Sequence, residues 1–246
     1  MANETNQNDP RAALIALVKQ GQAHEEAYRA SLSPEERAQV GAADHWAPKE
    51  IIAHFAYWKA RQTERLAAAG NSTLTDAPPW EQVNDETWPE HSRLTWDEAV
   101  ARSDKATSDL IAAVERLPAE QFADLQTPES AGDGLIATTM GNSYAHVVQH
   151  LSDHYLAQGE PERATQVQQE FLQAIVASGL GEAAEMFTRY NLACYYALHG
   201  QQSNAVAELR LALPKRPDLV AFAREDHDLD SLRDDPAFKS LLATES

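Results

Sequence analysis

Asn142–Ala157 reads NSYAHVVQHLSDHYLA and carries three of the chain's nine histidines, His146, His150 and His154, at intervals of four. On a helix that spacing places the imidazoles along one side, turn above turn. Val147, Val148, Leu151 and Tyr155 form an apolar stripe beside them. A helix so patterned faces a packed interior and presents nitrogen ligands at its edge. Two imidazoles at i and i+4 can share one metal ion. The third histidine of the row lies two turns from the first, so a further ligand has to come from elsewhere in the chain.

The stretch lies last of four amphipathic segments. Asp9–Pro10 supplies a cap and a first-turn proline, and Leu14, Leu17 and Val18 give the apolar side of a helix over Pro10–Ser31. Ser33–Pro34–Glu35–Glu36 starts a short turn of helix. HWAPKEIIAHFAYWKARQTERLAAAG, residues 45–70, comes next, with Pro48 at the first turn and Gly70 at the end. Its buried stripe is Ile51, Phe55, Trp58 and Leu66, and His54 borders it. Thr95 and Glu98 have capping-box spacing at the start of a third long helix that ends at Leu117 before Pro118. Residues 71–93 between these helices read as a long irregular connection. Trp80 and Trp88 within it either lie over a cleft mouth or fold back as anchors. A loop with Pro128, Gly132 and Gly134 leads to the histidine helix. Four such helices over residues 10–159, with no sustained period-two run, predict an all-α four-helix bundle, preceded by a disordered leader over residues 1–9.

Residues 160–246 form a helical extension. Glu160–Pro161–Glu162 starts a helix to about Ser178, Gly179–Leu180–Gly181 breaks it, and a helical pair turns at Gly200. No Gly/Ser-rich tether separates this part from the bundle, so it is expected to stack on it.

Composition narrows the function. The formal net charge of −18 argues against nonspecific nucleic-acid binding and against anionic membranes. The single cysteine, Cys194, rules out an internal disulfide and fits a reducing compartment. The polar leader lacks a signal peptide's apolar core, and no run of about twenty apolar residues exists. These features together lead us to expect a cytoplasmic protein.

WAPKEIIAHFAYWKARQTERL at 46–66 and SYAHVVQH at 143–150 resemble the second and fourth helices of the DinB-like four-helix bundle superfamily. Trp46, His54 and Trp58 match the pattern of the former, and His146 and His150 that of the latter. The resemblance implies a divalent metal, zinc or nickel, held by His54, His146 and His150. It also implies a small-molecule substrate and, in many members, a low-molecular-weight thiol activated by the metal for transfer or isomerisation. The connection and NDETW at 84–88 are similar to the branch containing the colibactin self-protection protein, a cyclopropane hydrolase. After the histidine pair the chain reads LSDHY and departs from the HRGQ-like run of many thiol transferases, which speaks against thiol transfer. NLACYYALHG at 191–200 with AVAELRLAL at 205–213 is similar to one tetratricopeptide repeat, and DLDSLRDDPAFKSLL at 228–242 to the segment that closes such arrays. One repeat offers little concave surface for a protein partner, so a cap on the bundle is the expected role.

Each residue also has a plainer reading. The three histidines can be polar core residues in a metal-free pocket, which would make the chain a non-enzymatic helical binding or scaffold protein. His154 reads as a rim residue. Asp153 either orients an imidazole or is solvated. His45 lies near a helix start. Tyr57 and Tyr144 either reach a substrate or hydrogen-bond to backbone, and Cys194 reads as a small core residue. His24, His91, His199 and His227 have no assignable partner. No H-E-x-x-H order is present. If metal binding needs neutral imidazoles with ordinary affinities for protons, it is expected to weaken below about pH 6.5.

Overall fold

The computed structural model describes residues 10–43, 45–68, 80–117 and 134–243. Every regular element among them is helical; the Ala42–His45 bridge is isolated. In chain order they are α1 (Pro10–Ser31), α2 (Pro34–Ala38), α3 (Pro48–Ala68), α4 (Trp80–His91), α5 (Trp96–Arg116) and α6 (Leu135–Met140). A π-turn (Gly141–Ala145) leads into α7 (His146–Ala157), followed by α8 (Pro161–Ser178), α9 (Glu182–Leu198), α10 (Gln202–Ala212) and α11 (Pro217–Glu225). A 3-10 turn (His227–Leu232) and α12 (Pro236–Leu242) close the chain. The all-α fold class is as expected.

The bundle consists of α1, α3, α5 and the α6–π–α7 segment. Local sequence sets their ends. The Ser33 hydroxyl accepts from Glu36 N while the Glu36 carboxylate accepts from Ser33 N, and Thr95 and Glu98 repeat this reciprocal cap at the start of α5. Leu14, Leu17, Ile52, Phe55, Leu110, Val114, Val147 and Leu151 meet in the middle, all essentially without exposure. Gly21 lets α1 approach the π-turn: a Cβ there would stand 3.0 Å from Ser143 O and from Tyr144 Cα.

Two features depart from the expected bundle. The 71–93 connection is not irregular throughout, because Trp80–His91 is helical. Its sequence, WEQVNDETWPEH, hides this: among the side chains described, from Gln82 on, Val83 and His91 are buried. Pro89 lies inside this helix near its C-terminal end and lacks the N–H that would donate to the carbonyl four residues back. Trp88 is half-buried, while the Trp80 side chain and residues 69–79 lie outside the described residues, as do Pro128 and Gly132. The histidine helix is also interrupted. The π-turn at 141–145 precedes His146, and Asn142 Nδ2 donates to Gln62 Oε1 at 3.0 Å across to α3. Such bulges insert one extra residue and so reset the facing of the next turns of helix.

The extension packs directly on the bundle. Helix α8 lies against α7 and α1, and α9 against α8 and α10. Gln168 Nε2 donates to Ser152 Oγ at 3.1 Å, and the Tyr144 and Phe171 rings meet edge to face at 4.8 Å between centroids. One apolar core runs from Leu14 to Phe238. Gly200 takes a positive φ of 74° at the α9–α10 turn, a conformation that suits glycine. Among the described residues no helix is long and apolar enough to cross a membrane.

Candidate metal centre

His54 is carried inward by α3 because Ile51, Ile52 and Phe55 turn that side of the helix to the core; it is 2% exposed. Val147, Val148 and Leu151 turn α7 likewise, and its first two histidines face α3. His146 Nε2 lies 3.1 Å from His54 Nε2 and 2.9 Å from His150 Nε2. The three residues therefore form one group with a ligand atom each, close enough to hold a single ion. Zn–N bonds of about 2.0–2.1 Å place tetrahedral ligands about 3.3 Å apart, close to the separations found.

Burial sets the protonation. Desolvation, with the neighbouring imidazoles adding to it, holds His54 far below the usual histidine range. Burial first, then His150 and the Lys59 charge, pushes His146 down to about 3, and burial pushes His150 down to about 4. All three are neutral across the physiological range, the state a metal ligand needs. Protonation of the metal-free cluster therefore sets in at lower pH than for ordinary histidines. Trp58 Nε1 lies 3.1 Å from His54 Nε2. An indole N–H only donates, so His54 carries its proton on Nδ1 and offers a lone pair at Nε2. Its Nδ1 is buried without a hydrogen-bond partner.

A fourth histidine in these surroundings has no signal in the sequence. His91, at the end of α4, is 4% exposed, and its ring is 6.5 Å from that of His54. Its Nδ1 is also buried without a partner. Only the folding of the connection into a helix that returns over α3 brings it there.

A cavity of about 870 Å³ opens beside the cluster, with His150 on its wall and Val40, Trp46, Pro48 and Ile51 forming apolar lining. Trp46 is 4.6 Å from the His54 ring and roughly parallel to His150 at 6.3 Å. It is held there by the 41–47 turn, whose Gly41 and Ala47 N–H groups both donate to the buried Glu50 Oε2. A side chain at Gly41 would run into Ala47 N at 2.5 Å.

The remaining candidates fall elsewhere. His154 lines the cavity but leaves the cluster, with Nδ1 3.5 Å from Tyr28 OH; eight residues of α-helix rotate it about 80° from His146. Asp153 is exposed and makes no contact with a cluster imidazole, and His45 is exposed at the cavity wall. Neither tyrosine bonds to backbone: Tyr57 OH accepts from Arg61, and Tyr144 OH pairs with His24 Nε2 at 3.3 Å. His199 Nδ1 pairs with Tyr195 O, and His227 Nδ1 with Asp230. Cys194 is buried, its thiol donates to Asp226 Oδ2 at 3.5 Å, and burial together with that carboxylate pushes the thiol far up.

A profile of the DinB superfamily matches residues 18–157, a span that holds the bundle from the middle of α1 onward and all three clustered histidines. The chain belongs to the DinB superfamily. Comparison with curated proteins and with solved structures gives no significant match. DinB members often bind divalent metals, and the three-histidine cluster, a group that could hold one ion, lies within the matched span.

Proposed function

We propose that the protein is a metal-dependent enzyme acting on a small molecule, with His54, His146 and His150 holding one divalent ion, zinc or nickel. The observation that carries this reading is the convergence of three neutral ring nitrogens from two helices beside a cavity that reaches His150. Three protein ligands leave a position for water or substrate, as in catalytic sites. A divalent ion held by these residues would supply a Lewis acid that activates water and polarises an oxygen or sulfur of the substrate. The chain's own groups do the rest. Burial keeps the imidazoles unprotonated, Trp46 shields the cluster from bulk water, and the cavity wall orients the substrate toward His150. The reaction class is hydrolysis, as in the colibactin self-protection branch, or transfer with a low-molecular-weight thiol. The tetratricopeptide-like pair α9–α10 serves as a brace, supported by the packing of α8 between it and the bundle.

Elemental analysis of gently purified protein tests the reading. One ion per chain is expected, with loss in each of His54→Ala, His146→Ala and His150→Ala, retention in His154→Ala, and unchanged helicity throughout. A wild type that carries no metal and takes up neither Zn²⁺ nor Ni²⁺ at pH 7.5 overturns it.

A further inference from the structure

The cavity beside the histidine cluster has a one-sided charge. Its lining includes three carboxylates, Glu36, Asp85 and Asp153, and no lysine or arginine. No basic side chain is available from the segments outside the described residues either: residues 1–9, 44, 69–79, 118–133 and 244–246 contain neither lysine nor arginine. Asp85 and Asp153 form no ion pair among the described residues; Ser33 holds the Glu36 carboxyl below its ordinary value, while burial raises that of Asp153 with His199 opposing. The apolar side of the same cavity is formed by Trp46, Ile51 and Val40, the last 67% exposed.

From this we infer that the cavity selects small molecules with an apolar body and a cationic group, and rejects carboxylates and phosphates. This rests on the proposed function and names the substrate class of the same site. The cation would sit toward Asp85 and Asp153, the latter one helical turn along α7 from His150, and the apolar body against Trp46 and Val40. Each carboxylate within several ångströms of a ligand charge changes its affinity severalfold at partly screened surface dielectric. Two acting together give on the order of tenfold between a cation and an anion. A thiol cosubstrate rich in carboxylates is disfavoured on the same ground, and a hydrolytic reaction gains weight.

The test compares three probes with one apolar body, 4-phenylbutylamine, 4-phenylbutyramide and 4-phenylbutyrate, by titration calorimetry on the full chain. The deciding measurement uses metal-stripped protein, because a bound ion would itself attract the carboxylate. Zn²⁺-loaded protein is run beside it, so that failure to bind metal is read separately from the charge order. Amine tighter than amide, and amide tighter than carboxylate, is expected, with a span of roughly tenfold in 50 mM salt that shrinks as salt is raised. In Asp85→Asn/Asp153→Asn the span should fall toward two- to threefold. Equal or reversed affinities in the metal-stripped protein overturn the inference. So does an unchanged span in the double variant, which would assign the preference to the overall charge of −18.

Discussion

Trp58 Nε1 stands 3.1 Å from His54 Nε2, on the nitrogen that also faces His146. The indole N–H and an incoming cation therefore compete for one lone pair. The hydrogen bond is worth about 0.5–1.5 kcal/mol net, and it has to be given up or bent when an ion arrives. Trp58→Phe keeps most of the apolar bulk and removes the competing donor. It is expected to raise zinc affinity about two- to tenfold, measured by competition with a chelator of known affinity. A drop in affinity would show that the indole orients His54 instead of competing for it.

The clustered histidines make the metal-stripped protein acid-sensitive. Their folded values lie below the ordinary 6.5, about 3 for His146 and about 4 for His150, with His54 lower still. Between those values and 6.5 the unfolded chain binds protons that the folded chain does not. Stability is therefore unpenalised above pH 6.5 and falls as pH drops toward the folded values, by about 1.4 kcal/mol per pH unit for each histidine. Denaturant midpoints between pH 7.0 and 5.0, above the main carboxylate range, should decline, and His150→Ala should flatten the slope. A midpoint independent of pH over that interval would contradict the burial of the cluster.

The four bundle helices are legible in the sequence because apolar stripes at helical spacing fix which side of each helix is buried, while the choice of His54 as the partner of His146 and His150 rests on the resemblance to the DinB-like superfamily. A histidine bordering such a stripe inherits its direction. The surroundings of the cluster are not legible. Helix α4 has too few apolar residues to announce itself, so His91 has no assignable partner until the chain is folded. The π-turn leaves no periodic signature in GNSYA. Trp46 owes its position to Glu50, whose buried carboxylate accepts from backbone, and nothing in the pattern of a helix start marks a glutamate as buried.

Lys59 and Glu25 are another such case, at 2.6 Å with each side chain 1% exposed. Lys59 also donates to Ser103 Oγ at 3.2 Å and Thr107 Oγ1 at 3.1 Å, which ties α3 to α1 and α5 and satisfies all three ammonium protons. Removing one partner leaves a buried charge, so Glu25→Leu or Lys59→Met alone should cost about 3–5 kcal/mol. The double variant should recover much of that loss, because well-packed apolar groups can replace a buried pair at little cost. Additive losses in urea denaturation would mean that the pair is not a closed unit.

Two helical glycines separate close packing from local preference. Gly141, in the π-turn, has open space where a Cβ would go, and its φ of −53° is helical. Alanine there restricts the unfolded chain without meeting anything, and Gly141→Ala should stabilise by up to about 1 kcal/mol. Gly21 gains the same backbone preference, but its new methyl meets the backbone at Ser143 O and Tyr144 Cα, both at 3.0 Å. Backbone cannot rotate aside as a side-chain tip can, so α1 and the π-turn must separate by a few tenths of an ångström. Overpacking of that kind costs about 1–3 kcal/mol, which exceeds the propensity gain. Gly21→Ala should therefore lower the melting temperature while Gly141→Ala raises it. Because Tyr144 lies two residues before His146, the Gly21 change should also weaken zinc binding by displacing the start of α7. A Gly21→Ala variant as stable as wild type and with unaltered zinc affinity would show that the α1–π-turn contact is loose and that the cluster does not depend on it.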